Sequence, residues 1–273
     1  MSLFFTSLNS GSNGNCYYIG NKNEAVLIDA GLSCKETEKR MRILELSFER
    51  VKAIFISHEH IDHIKGVEVL SKKYEIPVYI STKTYANSRT PIREDLIRTL
   101  NSFSTIKIGG LSITGFSKNH DAADPVSFIV ENDQYKVGVF TDIGTVCENV
   151  IRNFKKCHAA FLEANYDDKM LEEGPYPFHL KERIKSSHGH LSNKQALDLF
   201  KDHRPDFMSH LLLSHLSKEN NTPELVYDLF RSVNCNTEII IASRHEATPL
   251  FRFDEILQKK AASKNLMQLE LFI

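Results

Sequence analysis

The sequence predicts a layered α/β fold on three observations. Short apolar runs bounded by Gly, Asn and Pro recur along the chain, the pattern of strands. Between them lie stretches with apolar residues three and four apart, which read as helices. Residues of metal-ligand type stand at or just after the ends of several strands, where sites form in layered α/β proteins.

In chain order, residues 3–8, 16–20 and 25–29 read as strands joined by Gly and Asn turns. Ser33 opens a helix of about 14 residues as its N-cap. A strand over 51–57, a helix over 62–74 with Asp62 at its cap, and a strand over 78–81 follow. The charged stretch 82–100 reads as helical. Strands are expected over 111–117, 126–131, 135–141 and 159–164. Residues 167–185, which contain Gly174-Pro175-Tyr176-Pro177, read as an excursion or lid. Helices over 192–203 and 222–233, the latter with Pro223 at its first position, flank a buried strand at 211–214. Strands over 238–242 and 250–253 close the fold.

Composition narrows the class. The chain has 273 residues, a formal charge of −1 and 12 histidines, long enough for one sizeable core. No apolar run reaches the roughly 18 residues that span a bilayer, and the start lacks the basic and apolar regions of a secretory signal. Five scattered cysteines, with no C-x-x-C pair, argue against a disulfide framework or a thiolate zinc site. A reducing, cytoplasmic setting is expected. The near-neutral charge offers no global basic footprint for nucleic acid. The histidines direct attention to metal ligands.

The strongest local signal is His58-Glu59-His60-Ile61-Asp62-His63, directly after the apolar strand. Three imidazoles and a carboxylate packed into six residues are hard to reconcile with a merely solvated turn. His120 comes shortly after the strand ending at Ser117, Asp142 follows 137–141, and His215 follows 211–214. Singly, each would more often be a capping or surface residue; together with the His58 cluster they suggest a metal site. Seven such residues are too many for one tetrahedral ion and suit two ions that share a bridge.

This pattern, H-x-H-x-D-H followed by a His, an Asp and a last His, resembles the metallo-β-lactamase superfamily. The resemblance implies a four-layer αββα sandwich over residues 1–256. It implies two divalent ions, with His58, His60 and His120 on one, Asp62, His63 and His215 on the other, and Asp142 bridging. A water between the ions would be the nucleophile. Zinc or manganese suits such mixed ligands, and iron is a further option. Asp29 looks like the superfamily's buried scaffold Asp.

Flanking motifs narrow the branch. Ser10-Gly11-Ser12-Asn13-Gly14-Asn15, His120-Asp121-Ala122-Ala123-Asp124-Pro125, Glu163-Ala164-Asn165, Gly189-His190-Leu191-Ser192-Asn193 and His215-Leu216-Ser217-Lys218-Glu219-Asn220-Asn221 are similar to the YycJ/WalJ group of bacterial exonucleases. That similarity implies hydrolysis of DNA phosphodiesters from the 5′ end of duplexes, in repair. The catalytic set would be Asp62, His190 and Glu163, with His190 protonating the leaving oxygen or contacting the phosphate and Glu163 orienting it. Ser10, Ser12, Asn13, Asn15 and Asn193 would meet substrate, the Ser/Gly/Asn loop through backbone N–H groups and hydroxyls; an ordinary hairpin turn is the competing reading of that loop. About 70 residues separate Asp142 from His215, too few for the large clamping insertion of the β-CASP branch. Arg244-His245-Glu246-Ala247-Thr248 carries no assignment.

Residues 257–273 read as a flexible C-terminal tail. Its Gln268-Leu269-Glu270-Leu271-Phe272 is similar to the pentapeptide through which bacterial repair proteins bind the sliding clamp, with Leu271 and Phe272 as apolar anchors and Gln268 for polar contacts. A terminal strand packed on its own domain is the competing reading. Three further functions stay open on sequence: RNA processing, a small-molecule hydrolase such as a lactonase or thioesterase, and a non-catalytic clamp-binding adaptor.

Overall fold

A computed structural model describes residues 2–233 and 235–253. One sheet contains β1 (Phe4–Asn9), β2 (Cys16–Gly20), β3 (Ala25–Ile28), β4 (Val51–Phe55), β5 (Val78–Ile80), β6 (Ile97–Thr99) and β14 (Phe251–Arg252). Its spatial order is β14-β1-β2-β3-β4-β5-β6. The other contains β7 (Thr105–Ile108), β8 (Leu111–Ser117), β9 (Val126–Glu131), β10 (Lys136–Phe140), β11 (Ala159–Glu163), β12 (His210–Ser214) and β13 (Glu238–Ile241), in the order β13-β12-β11-β10-β9-β8-β7. Each sheet is antiparallel at one end and parallel at the other.

Strand periodicity of two sorts the core into layers. On β3, Val26 and Ile28 face the second sheet, while Ala25 and Leu27 face outward under helices. On β11, Ala159 and Phe161 face the first sheet, while Ala160 and Leu162 face the opposite helix layer. The central layer is aromatic: Phe161 lies 4.8 Å from Tyr17 and 6.2 Å from Phe5, ring centre to ring centre. Helices α1 (Cys34–Ile43), α2 (Ile61–Ile64), α3 (Val67–Tyr74) and α4 (Thr82–Asn87) accompany the first sheet; α5 (Glu148–Phe154), α8 (Asn193–His203) and α9 (Pro223–Arg231) cover the second. Burial on both faces explains why the parallel strands read as continuous apolar runs. The four-layer expectation is met.

The caps follow the sequence. Ser33 accepts from the Glu36 amide, Thr222 from Leu225, and Ser192 forms a reciprocal capping box with Gln195. Four local expectations differ. The first helix spans ten residues, not about 14. Residues 62–74 form two helices broken at Gly66, whose N–H donates to Ala30 O and where a Cβ would meet Leu32 O at 1.9 Å. Asp62 lies inside α2, with His60 in the cap position. Of the charged stretch only 82–87 is α-helical, with a single 3₁₀ turn at Glu94–Leu96; Pro91 restricts Thr90 before it, and the chain turns into β6. The 167–185 excursion carries α6 (Asp168–Glu173) and α7 (Phe178–Lys185).

No helix among the described residues is long and apolar enough to cross a membrane. The tail with Gln268, Leu269, Leu271 and Phe272 lies outside the described residues.

Candidate metal centre

The candidate ligands converge because three strand ends and one turn meet along one edge of the sandwich. β4 leads into the His58–His63 turn, β10 ends before Asp142, and β12 ends before His215. Asp29, Asp142 and His215 all take left-handed backbone angles, with φ of 60°, 53° and 56°. Non-glycine residues rarely adopt that region, and its clustering at strand ends marks an enforced turn. Gly31 lets the 29–32 loop press on the His58–His63 turn: a Cβ there would lie 1.6 Å from Asp62 O.

The rings are oriented from behind. Asp29 Oδ2 accepts from His63 Nδ1 at 2.7 Å, Ser57 Oγ bonds His58 Nδ1 at 2.9 Å, and Gly189 O accepts from His120 Nδ1 at 3.0 Å. Glu163 Oε1 accepts from His215 Nδ1 at 2.9 Å. These four rings therefore turn Nε2 toward the shared space, whereas His60 presents Nδ1 there, 3.1 Å from His58 Nε2 and 3.4 Å from His120 Nε2. Backing of this kind sets the tautomer of metal-binding imidazoles.

The donor atoms form overlapping groups that could each hold an ion: His58, His60 and His120; Asp62, His63 and His215; His58, His63 and Asp142; and Asp142, Glu163, His190 and His215. Asp142 lies 3.1 Å from His63, 3.4 Å from His215 and 3.8 Å from His120, between the two sets expected from the sequence. Its buried Oδ2 faces His63 Nε2 at 3.1 Å and makes no regular hydrogen bond among the described residues. A buried carboxylate oxygen without a donor is unfavourable, and facing imidazole nitrogens need a shared partner. Divalent cations meet both needs, and the mixed nitrogen and oxygen donors suit them.

Charge follows position. Burial holds the His58 imidazole well below its ordinary range and His120 at about 4, so both rings are neutral, as ligands must be. Burial also opposes charge on His63 and His215, but the nearby carboxylates, Asp142 foremost, outweigh it. They lift His63 above its usual range and His215 to about 10. The same imidazoles outweigh burial at Asp62 and Asp142 and hold both below the usual carboxylate range. Protons and cations therefore compete for His63 and His215.

Beside this cluster, His190 Nδ1 donates to Glu163 Oε1 at 2.8 Å. Glu163 Oε2 accepts from the amides of Ile143 at 2.8 Å and Leu191 at 3.2 Å, and the carboxyl sits at about 2, burial being outweighed by His190. His190 lines an open cleft with Ser12, Tyr176, Arg183 and Ser217, walled on one side by the 167–185 excursion.

The expected substrate contacts divide. Ser12 is exposed and lines the cleft. Ser10 is buried, its Oγ bonded to Tyr17 and accepting from the His215 amide. Asn15 is buried and donates to Asp62 Oδ2 at 3.1 Å. Asn193 is buried and exchanges hydrogen bonds with Asn221. Asn13, though exposed, donates to Arg244 O. For Ser10, Asn15 and Asn193 the structure therefore supplies supporting positions where the sequence suggests substrate contacts: their polar atoms are already engaged away from solvent. Two supports escaped sequence reading, Ser57 and Asn165, the latter donating to His215 O at 2.7 Å. Asn165 lies within a quoted motif, but nothing in the sequence distinguishes Ser57 from an ordinary strand-end serine.

Comparison with known proteins gives the family and the fold. The family profile described as "Beta-lactamase superfamily domain" matches residues 24–215. The chain is 37% identical over 230 residues to Exodeoxyribonuclease YycJ of Bacillus anthracis, covering 82% of this chain and 86% of that one. It is 33% identical over 228 residues to Exodeoxyribonuclease WalJ of Streptococcus pneumoniae, covering 82% and 85%. The crystal structure of the metallo-beta-lactamase fold protein YhfI from Bacillus subtilis superposes with a TM-score of 0.72 at 16% identity, over 92% of this chain and 99% of that one, a likeness of fold. The chain thus belongs to the beta-lactamase superfamily, as a metal-dependent hydrolase of metallo-β-lactamase fold in the YycJ and WalJ group.

Proposed function

We propose that the chain is a phosphodiesterase that works with two divalent cations and degrades duplex DNA from its ends, 5′ to 3′, in DNA repair. The observation that carries this reading is the coupling of two tasks through one buried carboxylate: Glu163 backs both the candidate ligand His215 and the cleft residue His190. The names of YycJ and WalJ as exodeoxyribonucleases support DNA as the substrate.

His58, His60 and His120 would hold one ion, and Asp62, His63 and His215 the other, with Asp142 between them. Bound divalent ions would supply Lewis acidity and a lowered pKa for attacking water. Asn15 keeps the Asp62 carboxylate turned toward the site. With Nδ1 given to Glu163, His190 has Nε2 left for the cleft, where it protonates the departing oxygen. Zinc or manganese fits the donors, and iron is a third candidate. Five free thiols suit a reducing, cytoplasmic setting. Gln268, Leu269, Leu271 and Phe272 would tether the enzyme to the sliding clamp.

The test is degradation of 5′- and 3′-labelled single- and double-stranded DNA and RNA, with zinc and with manganese. Metal-dependent release of nucleotides from the 5′ ends of duplex DNA is expected. Intact DNA alongside hydrolysis of a lactone or thioester overturns the reading, and a preference for RNA moves it to RNA processing.

A further inference from the structure

Arg244 opens the unassigned segment Arg244-His245-Glu246-Ala247-Thr248, a few residues after β13. Its half-buried guanidinium lies between the Ser10–Asn15 loop and the segment after His215. Nη2 donates to Leu216 O at 2.9 Å and stands 3.5 Å from Ser12 Oγ, at the limit of a hydrogen bond. Asn13 donates to Arg244 O at 2.8 Å, which fixes the backbone. Among the described residues no carboxylate comes within ion-pair distance; Glu219 acts on it only from farther away. A cation with five N–H donors is thus partly withdrawn from water with one firm acceptor. Its remaining N–H groups are open to an anion, which a guanidinium meets through charge-assisted bonds.

Two cavities meet at this point. The cleft over His190 and His215 shares Leu216 and Ser217 with a neighbouring cavity of about 390 Å³. The second has apolar walls from Pro223, Ile241 and Ala242, and its charged lining is Lys218 and Arg244 together with the single acid Glu246. Its volume is that of a small-molecule subsite, sufficient for one nucleoside and too small for a duplex. Arg244 contacts the carbonyl one residue beyond His215, so it stands beside the reacting centre rather than within it.

We propose that Arg244 is a specificity-determining residue that grips the substrate phosphate next to the scissile one, with the adjoining cavity receiving the neighbouring nucleoside. This rests on the nuclease reading above. A guanidinium meets phosphate oxygens through paired, charge-assisted N–H bonds. Ser12 Oγ adds a donor from the opposite loop, while Lys218 is already paired with Glu219 at 3.4 Å, which leaves Arg244 as the cation that meets the phosphate. The competing role is a brace that only ties the two loops together.

The metal-loaded full chain is compared with Arg244→Gln and Arg244→Lys. Four quantities are measured: kcat and KM on 5′-labelled duplex across a salt series, metal content, thermal midpoint, and binding of a deoxynucleoside 5′-monophosphate by calorimetry. Arg244→Gln is expected to raise KM about 10- to 100-fold with little change in kcat, as loss of a charge-assisted contact does. It should also flatten the salt dependence of log kcat/KM by about one, weaken monophosphate binding in step with KM, and keep the metal content. Arg244→Lys should restore the salt slope but only part of KM. Unchanged KM and monophosphate binding in Arg244→Gln overturns the proposal. So does loss of metal and stability that Arg244→Lys restores in full together with wild-type KM. If the parent chain degrades no DNA, the nuclease reading fails, and the monophosphate titration still decides whether Arg244 binds phosphate.

Discussion

Glu163→Gln is the sharpest test of how the centre is built. The carboxylate is fully buried and accepts four hydrogen bonds, two on each oxygen: Ile143 and Leu191 amides on Oε2, His190 and His215 rings on Oε1. A glutamine keeps the shape but turns one acceptor into an N–H₂ donor. If that group faces the backbone, two buried amides lose their acceptor, at about 1–3 kcal/mol each, so stability falls by about 2–6 kcal/mol. If the amide flips, the donor faces both rings and forces Nδ1 of His215 to accept. Nε2 then carries the proton and cannot ligate, and metal affinity falls roughly 10- to 100-fold. Urea unfolding of the chelator-treated protein reads the first branch, and competitive metal titration reads the second. Either branch also removes the negative charge behind His190, so kcat falls even where the metals are restored by excess. A variant that unfolds with the parent, binds metal as tightly and turns over at the same rate refutes the assignment of Glu163 as the shared support.

Three other outcomes are expected. Stability of the metal-stripped protein should peak near pH 6.5. It falls as pH rises from about 6.5 through the elevated value of His215, about 10, because the folded state holds the extra proton. It also falls as pH drops from 6.5 toward about 4, because unfolding lets His120 protonate. Urea midpoints measured across this range in excess chelator check both arms, and a flat profile above pH 6.5 contradicts the assigned proton on His215. Asp142→Asn, which tolerates the left-handed backbone at φ 53°, should lower metal content and reduce hydrolysis by at least about 100-fold, of the order seen when one electrostatic contact to a transition state is lost. Mass-spectrometric metal analysis with single-turnover assays measures it, and full occupancy with full activity removes Asp142 from the centre. Leu271→Ala with Phe272→Ala should abolish binding to a bacterial sliding clamp in calorimetry while hydrolysis of free duplex ends stays at the parental rate; unaltered clamp binding dismisses the tail motif.

Much of the architecture was legible because burial on both faces writes itself into strands as continuous apolar runs, as at 51–57 and 159–164, and because Ser33, Ser192 and Thr222 are ordinary caps. β6 and β7 escaped notice because they are edge strands with exposed or half-buried residues, where little apolar patterning is required. The break at Gly66 was hidden because only the 29–32 loop, distant in sequence, creates the need for a missing side chain.

The identity of the candidate ligands was present in the sequence, since a turn dense in imidazole and carboxylate has few uses other than holding cations. Their arrangement was not. That Glu163 serves two rings, that Ser10, Asn15 and Asn193 face inward, and that Arg244 meets Ser12 and Leu216 all depend on segments distant in sequence coming into contact, from 27 residues apart for Glu163 and His190 to 232 for Arg244 and Ser12. Local sequence specifies which atoms can donate or accept. Only the packed sandwich decides which of those atoms still lack a partner, and chemistry happens at the ones that do.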